Sequence, residues 1–105
     1  VTQKPPDKVD VDFAQEALVL AEKVVGSGEY DIVILDEVNV ALNLKLIQLD
    51  RVMKMIMNKP KYVELVLTGR NAPDEVVQAA DLVTEMREVK HPYSKGFQAR
   101  KGIEY

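Results

Sequence analysis

Three features of the sequence predict an α/β fold, a parallel sheet flanked by helices. Residues 30–35 (YDIVIL) are an apolar run without alternation, as in a strand covered on both faces, and residues 62–67 (YVELVL) read as a second apolar strand. Segments with apolar residues at helical spacing precede and separate them. The resulting order is helix, strand, helix, strand, helix, strand, tail, which is that of parallel strands joined by right-handed crossovers.

Taken in chain order, residues 1–9 read as a polar N-terminal tail and 10–105 as the α/β part. Asp10 or Asp12 predicts the cap of the first helix, because a short carboxylate accepts from the free N–H groups of a first turn. Phe13, Ala14, Ala17, Leu18, Ala21, Val24 and Val25 supply its apolar face, and Gly26 and Gly28 end it. After the first strand, residues 41–47 predict a short helix. A longer one follows, with Asp50 as cap, Leu49, Val52, Met53, Ile56 and Met57 as apolar face, and Pro60 as its end. The TGRNAPDE stretch makes a turn, with Pro73 near the first position of a helix ending about Ala80. Residues 82–87 (LVTEMR) predict a third strand. The remainder, EVKHPYSKGFQARKGIEY, has no period and reads as a loop with room for one terminal strand.

Composition narrows the function. At 105 residues the chain holds one core. It has no cysteine, which excludes disulfides and thiolate metal sites and fits a reducing cytoplasm. A formal charge of −3 gives no reason to expect nucleic acid. No apolar run approaches the ~20 residues of a membrane span, so no membrane partner is expected.

In a parallel sheet, ligands collect at the carboxyl ends of the strands. Asp36, Glu37 and Asn39 follow the first strand, and Thr68, Gly69 and Arg70 follow the second. Glu85 and Arg87 lie in the third, with Lys90 and His91 just beyond. Acids that hold Mg²⁺ and cations that hold phosphate are what a nucleotide site needs. Each piece alone has a plainer reading: the acid pair as a helix start, the Thr-Gly-Arg run as a turn, His91 as a loop residue.

In fixed order the pieces are more specific. ILDEVNVAL, then VELVLTGRNAPDEVVQAADLVTEMREVKHPY, then KGFQARKGIEY together resemble the C-terminal part of the P-loop-type ATP:cob(I)alamin adenosyltransferases, over residues 30–105. The resemblance implies a RecA-like fold that binds Mg-ATP and a corrinoid reduced to Co(I). The cobalt attacks the ribose 5′ carbon of ATP and triphosphate leaves, in the formation of adenosylcobalamin. It implies Asp36 and Glu37 as the Mg²⁺ carboxylates, with Asn39, Thr68, Gly69, Arg70, Glu85, Arg87 and His91 lining the nucleotide or substrate site. It implies no general acid or base, since Co(I) needs no deprotonation.

The chain departs from the pattern at Val40, where an aromatic residue is frequent, and at Lys45, where glycine is usual. It also contains no G-x-x-x-x-G-K-[ST], so the phosphate loop is missing. The chain is therefore read as the C-terminal half of an adenosyltransferase, inactive alone, whose sheet would be completed by the N-terminal half or by another chain. A homo-oligomer is expected. The alternative is a non-catalytic binding or assembly module that pairs with a separate P-loop subunit.

Overall fold

The computed structural model describes residues 7–90. Residues 1–6 and 91–105, which include His91, Lys95, Arg100, Lys101 and the stretch expected to have room for a terminal strand, lie outside the described residues. The elements are α1 (Lys8–Ser27), β1 (Ile32–Leu35), α2 (Val38–Asn43), α3 (Leu49–Asn58), β2 (Glu64–Leu67) and α4 (Asp74–Ala79). The α/β order is as expected up to α4.

Helix α1 begins earlier than the Asp10 or Asp12 cap predicts. Asp7 is its N-cap, accepting from the Asp10 backbone N–H at 2.9 Å, while the Asp10 carboxylate accepts in return from Asp7 N. Two aspartates three apart thus form a reciprocal capping box. Leu18 and Val25 are buried, with Ala14 and Ala21 packed beside them. Phe13 belongs to the neighbouring stripe and is 71% exposed. Gly28 ends the helix at φ 68°, and its carbonyl accepts from the Tyr62 hydroxyl at 3.1 Å.

Helix α3 has Gln48 rather than Asp50 at its N-cap; Asp50 lies in its first turn. Val52 is fully buried and forms the core with Leu18, Val25, Val33, Met55 and Val63. At its edge Arg51 donates from Nε to Glu22 at 3.1 Å and from Nη1 to Gln15 at 3.3 Å, tying α3 to α1. The hydrogen bond to Glu22 raises the guanidinium pKa above its ordinary value.

The two strands pair in parallel, Ile32 with Glu64 through Leu35 with Leu67. Val33 is buried and Leu35, Leu65 and Leu67 pack against the helices. Ile32 and Ile34 on the opposite face are 57% and 61% exposed, and Val66 is 41% exposed. The expectation that β1 is covered on both faces is therefore corrected. Its composition suits two covered faces, but among the described residues the packed helices cover only one.

The third strand is also corrected. Residues 82–87 form no strand, and Leu82 and Met86 are 83% and 93% exposed. An apolar run becomes a strand only where another strand offers its unpaired backbone groups. Helix α2 begins at Val38, three residues ahead of its expected start.

The end of α2 bears on the one departure that can be tested by stability. Lys45 takes φ 59°, its N–H donates to Leu42 O at 3.1 Å, and Leu46 N donates to Ala41 O at 2.9 Å. This double bond pattern is a Schellman motif, whose left-handed position glycine fills best. Lys45→Gly is expected to stabilise the chain by about 0.5–1 kcal/mol, the relief of left-handed strain exceeding the added freedom of the unfolded chain. A urea titration in which the midpoint falls would refute this.

Candidate functional site

Parallel pairing in this register carries the chain off both strands at the same edge. Leu35 opposes Leu67, and Thr68 N donates to Leu35 O at 3.2 Å. Asp36 and Thr68 thus emerge side by side. The Thr68 hydroxyl donates to Asp36 Oδ1 at 2.9 Å and accepts from Glu37 N at 2.8 Å. One hydroxyl therefore orients the first carboxylate and fixes the backbone of the second acid. Glu37 is held at φ 60°, ψ 21°, a left-handed conformation uncommon outside glycine and asparagine, and its side chain caps nothing. A non-glycine residue persists there only where its surroundings hold the backbone. Asp36 and Glu37 are both exposed.

Asn39 is 3% exposed. Its backbone N–H donates to Thr68 O at 3.1 Å and its Nδ2 donates to Gly69 O at 2.9 Å. The Gly69 carbonyl accepts only a donor, which settles the orientation of the amide. Among the described residues Oδ1 is then left buried without a hydrogen-bond partner, a cost of roughly 1–3 kcal/mol. Gly69 has φ 119°, and a Cβ there would lie 3.0 Å from Asn39 Cβ. Arg70 is exposed.

Asp36, Glu37, Asn39, Thr68, Gly69 and Arg70 are therefore brought together at one sheet edge. Glu85 and Arg87 are not tied to them: both lie on the exposed stretch past α4, with no hydrogen bond or ion pair to this cluster among the described residues. His91 falls outside the described residues. An open groove between Leu42, Lys45, Ile47, Leu49 and Pro73 shares none of these site residues.

Asn43 has no place among the sequence candidates. It sits one turn beyond Asn39 on α2, and its Nδ2 donates to Arg70 O at 3.1 Å and Asn71 O at 3.0 Å. Its i, i+4 spacing from Asn39 was the only available signal, and it points to a partner only once α2 is known to begin at Val38.

Asp36 and Glu37 are the residues here that could hold an oxygen-seeking divalent cation. Two adjacent carboxylates suffice for Mg²⁺, which takes one or two and leaves its other positions to water and phosphate oxygens. Among the described residues there is no group of three or more His, Cys, Asp or Glu that could hold a metal ion. No described helix is long and apolar enough to cross a membrane.

The whole chain, residues 1–105, matches the family model described as ATP:corrinoid adenosyltransferase BtuR/CobO/CobP. It is 38% identical to a corrinoid adenosyltransferase of a Sinorhizobium species, over 91% of this chain and 45% of that protein. A corrinoid adenosyltransferase of Pseudomonas aeruginosa is 38% identical over 91% of this chain and 47% of its own length. The Escherichia coli K12 protein of the same name is 28% identical over 91% of this chain and 49% of its own. The chain spans about half the length of the curated relatives it matches.

Proposed function

The chain belongs to the ATP:corrinoid adenosyltransferase family, and on that premise we propose that it forms the acidic and guanidinium side of a site that transfers the 5′-deoxyadenosyl group of Mg-ATP to the cobalt of a reduced corrinoid. The observation that carries this reading is the Thr68 hydroxyl, bridging the Asp36 carboxylate and the Glu37 N–H where both strands end.

In this reading Asp36 and Glu37 hold Mg²⁺, directly or through water, and Mg²⁺ when bound supplies charge neutralisation to the triphosphate. Thr68 keeps the Asp36 carboxylate from rotating. Arg70 meets phosphate oxygens, where a guanidinium forms two parallel hydrogen bonds. The two substrates carry the chemistry: the Co(I) electron pair forms the cobalt–carbon bond as the C5′–oxygen bond breaks, and triphosphate leaves with that bonding pair. The protein's share is to orient two reactants and steady the departing charge, which needs no proton transfer.

The phosphate loop absent from this chain is, in this proposal, supplied by polypeptide corresponding to the unmatched half of the relatives, joined in the same chain or present as a separate subunit. Together they would make a RecA-like P-loop fold. The exposed apolar face formed by Ile32, Ile34 and Val66 supports this, because an exposed apolar patch is the kind of surface on which another segment packs.

The test is Arg70→Ala in the complete enzyme, this chain together with its phosphate-loop half. KM for ATP is expected to rise about tenfold, the loss of a binding contact made in ground and transition state alike. Unchanged KM and kcat would remove Arg70 from the nucleotide edge.

A further inference from the structure

We propose that Asn39 and Asn43 form a two-asparagine clamp that sets the shape of the 68–71 turn and so aims Arg70 at the triphosphate; the inference rests on the adenosyltransferase reading above. Neither amide is needed to touch substrate. Both are positioning residues, and they act through the turn.

Four consecutive carbonyls carry the argument. Thr68 O accepts from Asn39 N, Gly69 O from Asn39 Nδ2, and Arg70 O and Asn71 O both from Asn43 Nδ2. Every carbonyl from residue 68 to residue 71 is thus held by one of two residues a single helical turn apart. The turn has backbone that does not hold itself: Gly69 is at φ 119° and Asn71 at φ 56°. Left-handed positions outside glycine persist where surrounding contacts impose them. Fixing the Arg70 carbonyl fixes the direction in which the Arg70 side chain leaves the backbone. The buried Oδ1 of Asn39, without a partner among the described residues, points the same way: an apolar residue would not carry that penalty, and would not supply the donor to Gly69.

The decisive substitution is Asn43→Asp. It keeps the shape but presents acceptor oxygens to two carbonyls. Asn43 is exposed at the end of α2, so the core is untouched; Asn43→Ala, which only removes the donor, serves as the second variant. In the isolated chain, NMR couplings and NOEs are expected to show Asn71 leaving the left-handed region in Asn43→Asp. In the complete enzyme, KM for ATP is expected to rise about five- to tenfold in both variants with kcat within about twofold. The double variant Asn43→Asp/Arg70→Ala should be no worse than Arg70→Ala alone, because a clamp that works through Arg70 has nothing left to position. Retained turn geometry and unchanged KM in both Asn43 variants, alongside a raised KM in Arg70→Ala, would overturn the clamp alone. Additive losses in the double variant would also overturn it, marking Asn43 as merely structural. No effect of Arg70→Ala would instead sink the reading of the site, and the clamp's purpose with it.

Discussion

Glu37→Gln in the complete enzyme is expected to lower kcat/KM for ATP on the order of 100-fold, or about 2.7 kcal/mol of transition-state stabilisation. The substitution is close to isosteric. The Glu37 backbone N–H still donates to Thr68 Oγ1, and the side chain makes no capping bond that would be lost. What disappears is one negative charge beside Asp36. An Mg²⁺ that takes only one or two carboxylates from the protein loses much of its protein-borne charge when one becomes an amide. The thermal midpoint should therefore stay near that of the parent while the Mg²⁺ concentration required for half-maximal rate rises. Steady-state kinetics over a Mg²⁺ titration reads both quantities. Parent-like kinetics at every Mg²⁺ concentration would take Glu37 out of the site.

Gly69→Ala is expected to cost roughly 2–3 kcal/mol of stability, and activity with it. At φ 119° any side chain is strained, by about 1–3 kcal/mol. The added Cβ would also meet Asn39 Cβ at 3.0 Å and the backbone nitrogens of Asn39 and Val40 at 3.3 Å. Two of those three neighbours are main-chain atoms of α2, which cannot swing aside as a side chain would. Relief therefore requires the turn to move away from α2, breaking the contacts to the Thr68 and Gly69 carbonyls. Urea denaturation should show a lower midpoint at unchanged slope. A parent-like midpoint would mean that the close packing of the turn on α2 is not maintained in solution. Glu37→Gln and Gly69→Ala separate the two contributions of the edge: charge without fold in the first, geometry in the second.

Much of this edge is legible in the linear order. The apolar runs ending in Asp36-Glu37 and Thr68-Gly69-Arg70 place polar residues after strands, and both strands form as α/β alternation requires. Residues 82–87 misled because LVTEMR has strand composition, while a strand also needs a paired neighbour, and β1 and β2 pair only with each other. Phe13 misled for a related reason: apolar spacing around α1 is broad, and the stripe through Leu18 and Val25 meets the rest of the core while Phe13 stays in water. The start of α1 shifted to Lys8 because two aspartates, Asp7 and Asp10, can each cap, and reciprocal capping favours the earlier.

The sequence by itself determined which segments as far as α4 become helices and strands, their order, and the family to which the chain belongs, because periodicity, caps and turn residues act over a few positions. Only the tertiary structure decided that Thr68, 32 residues from Asp36, would hold its carboxylate, and that Asn43 would grip two carbonyls 27 and 28 residues away. It also decided which face of the sheet the described helices leave uncovered. Those outcomes follow from strand register and from how α2 seats against the second turn, and contacts between residues so far apart leave no local pattern in the chain.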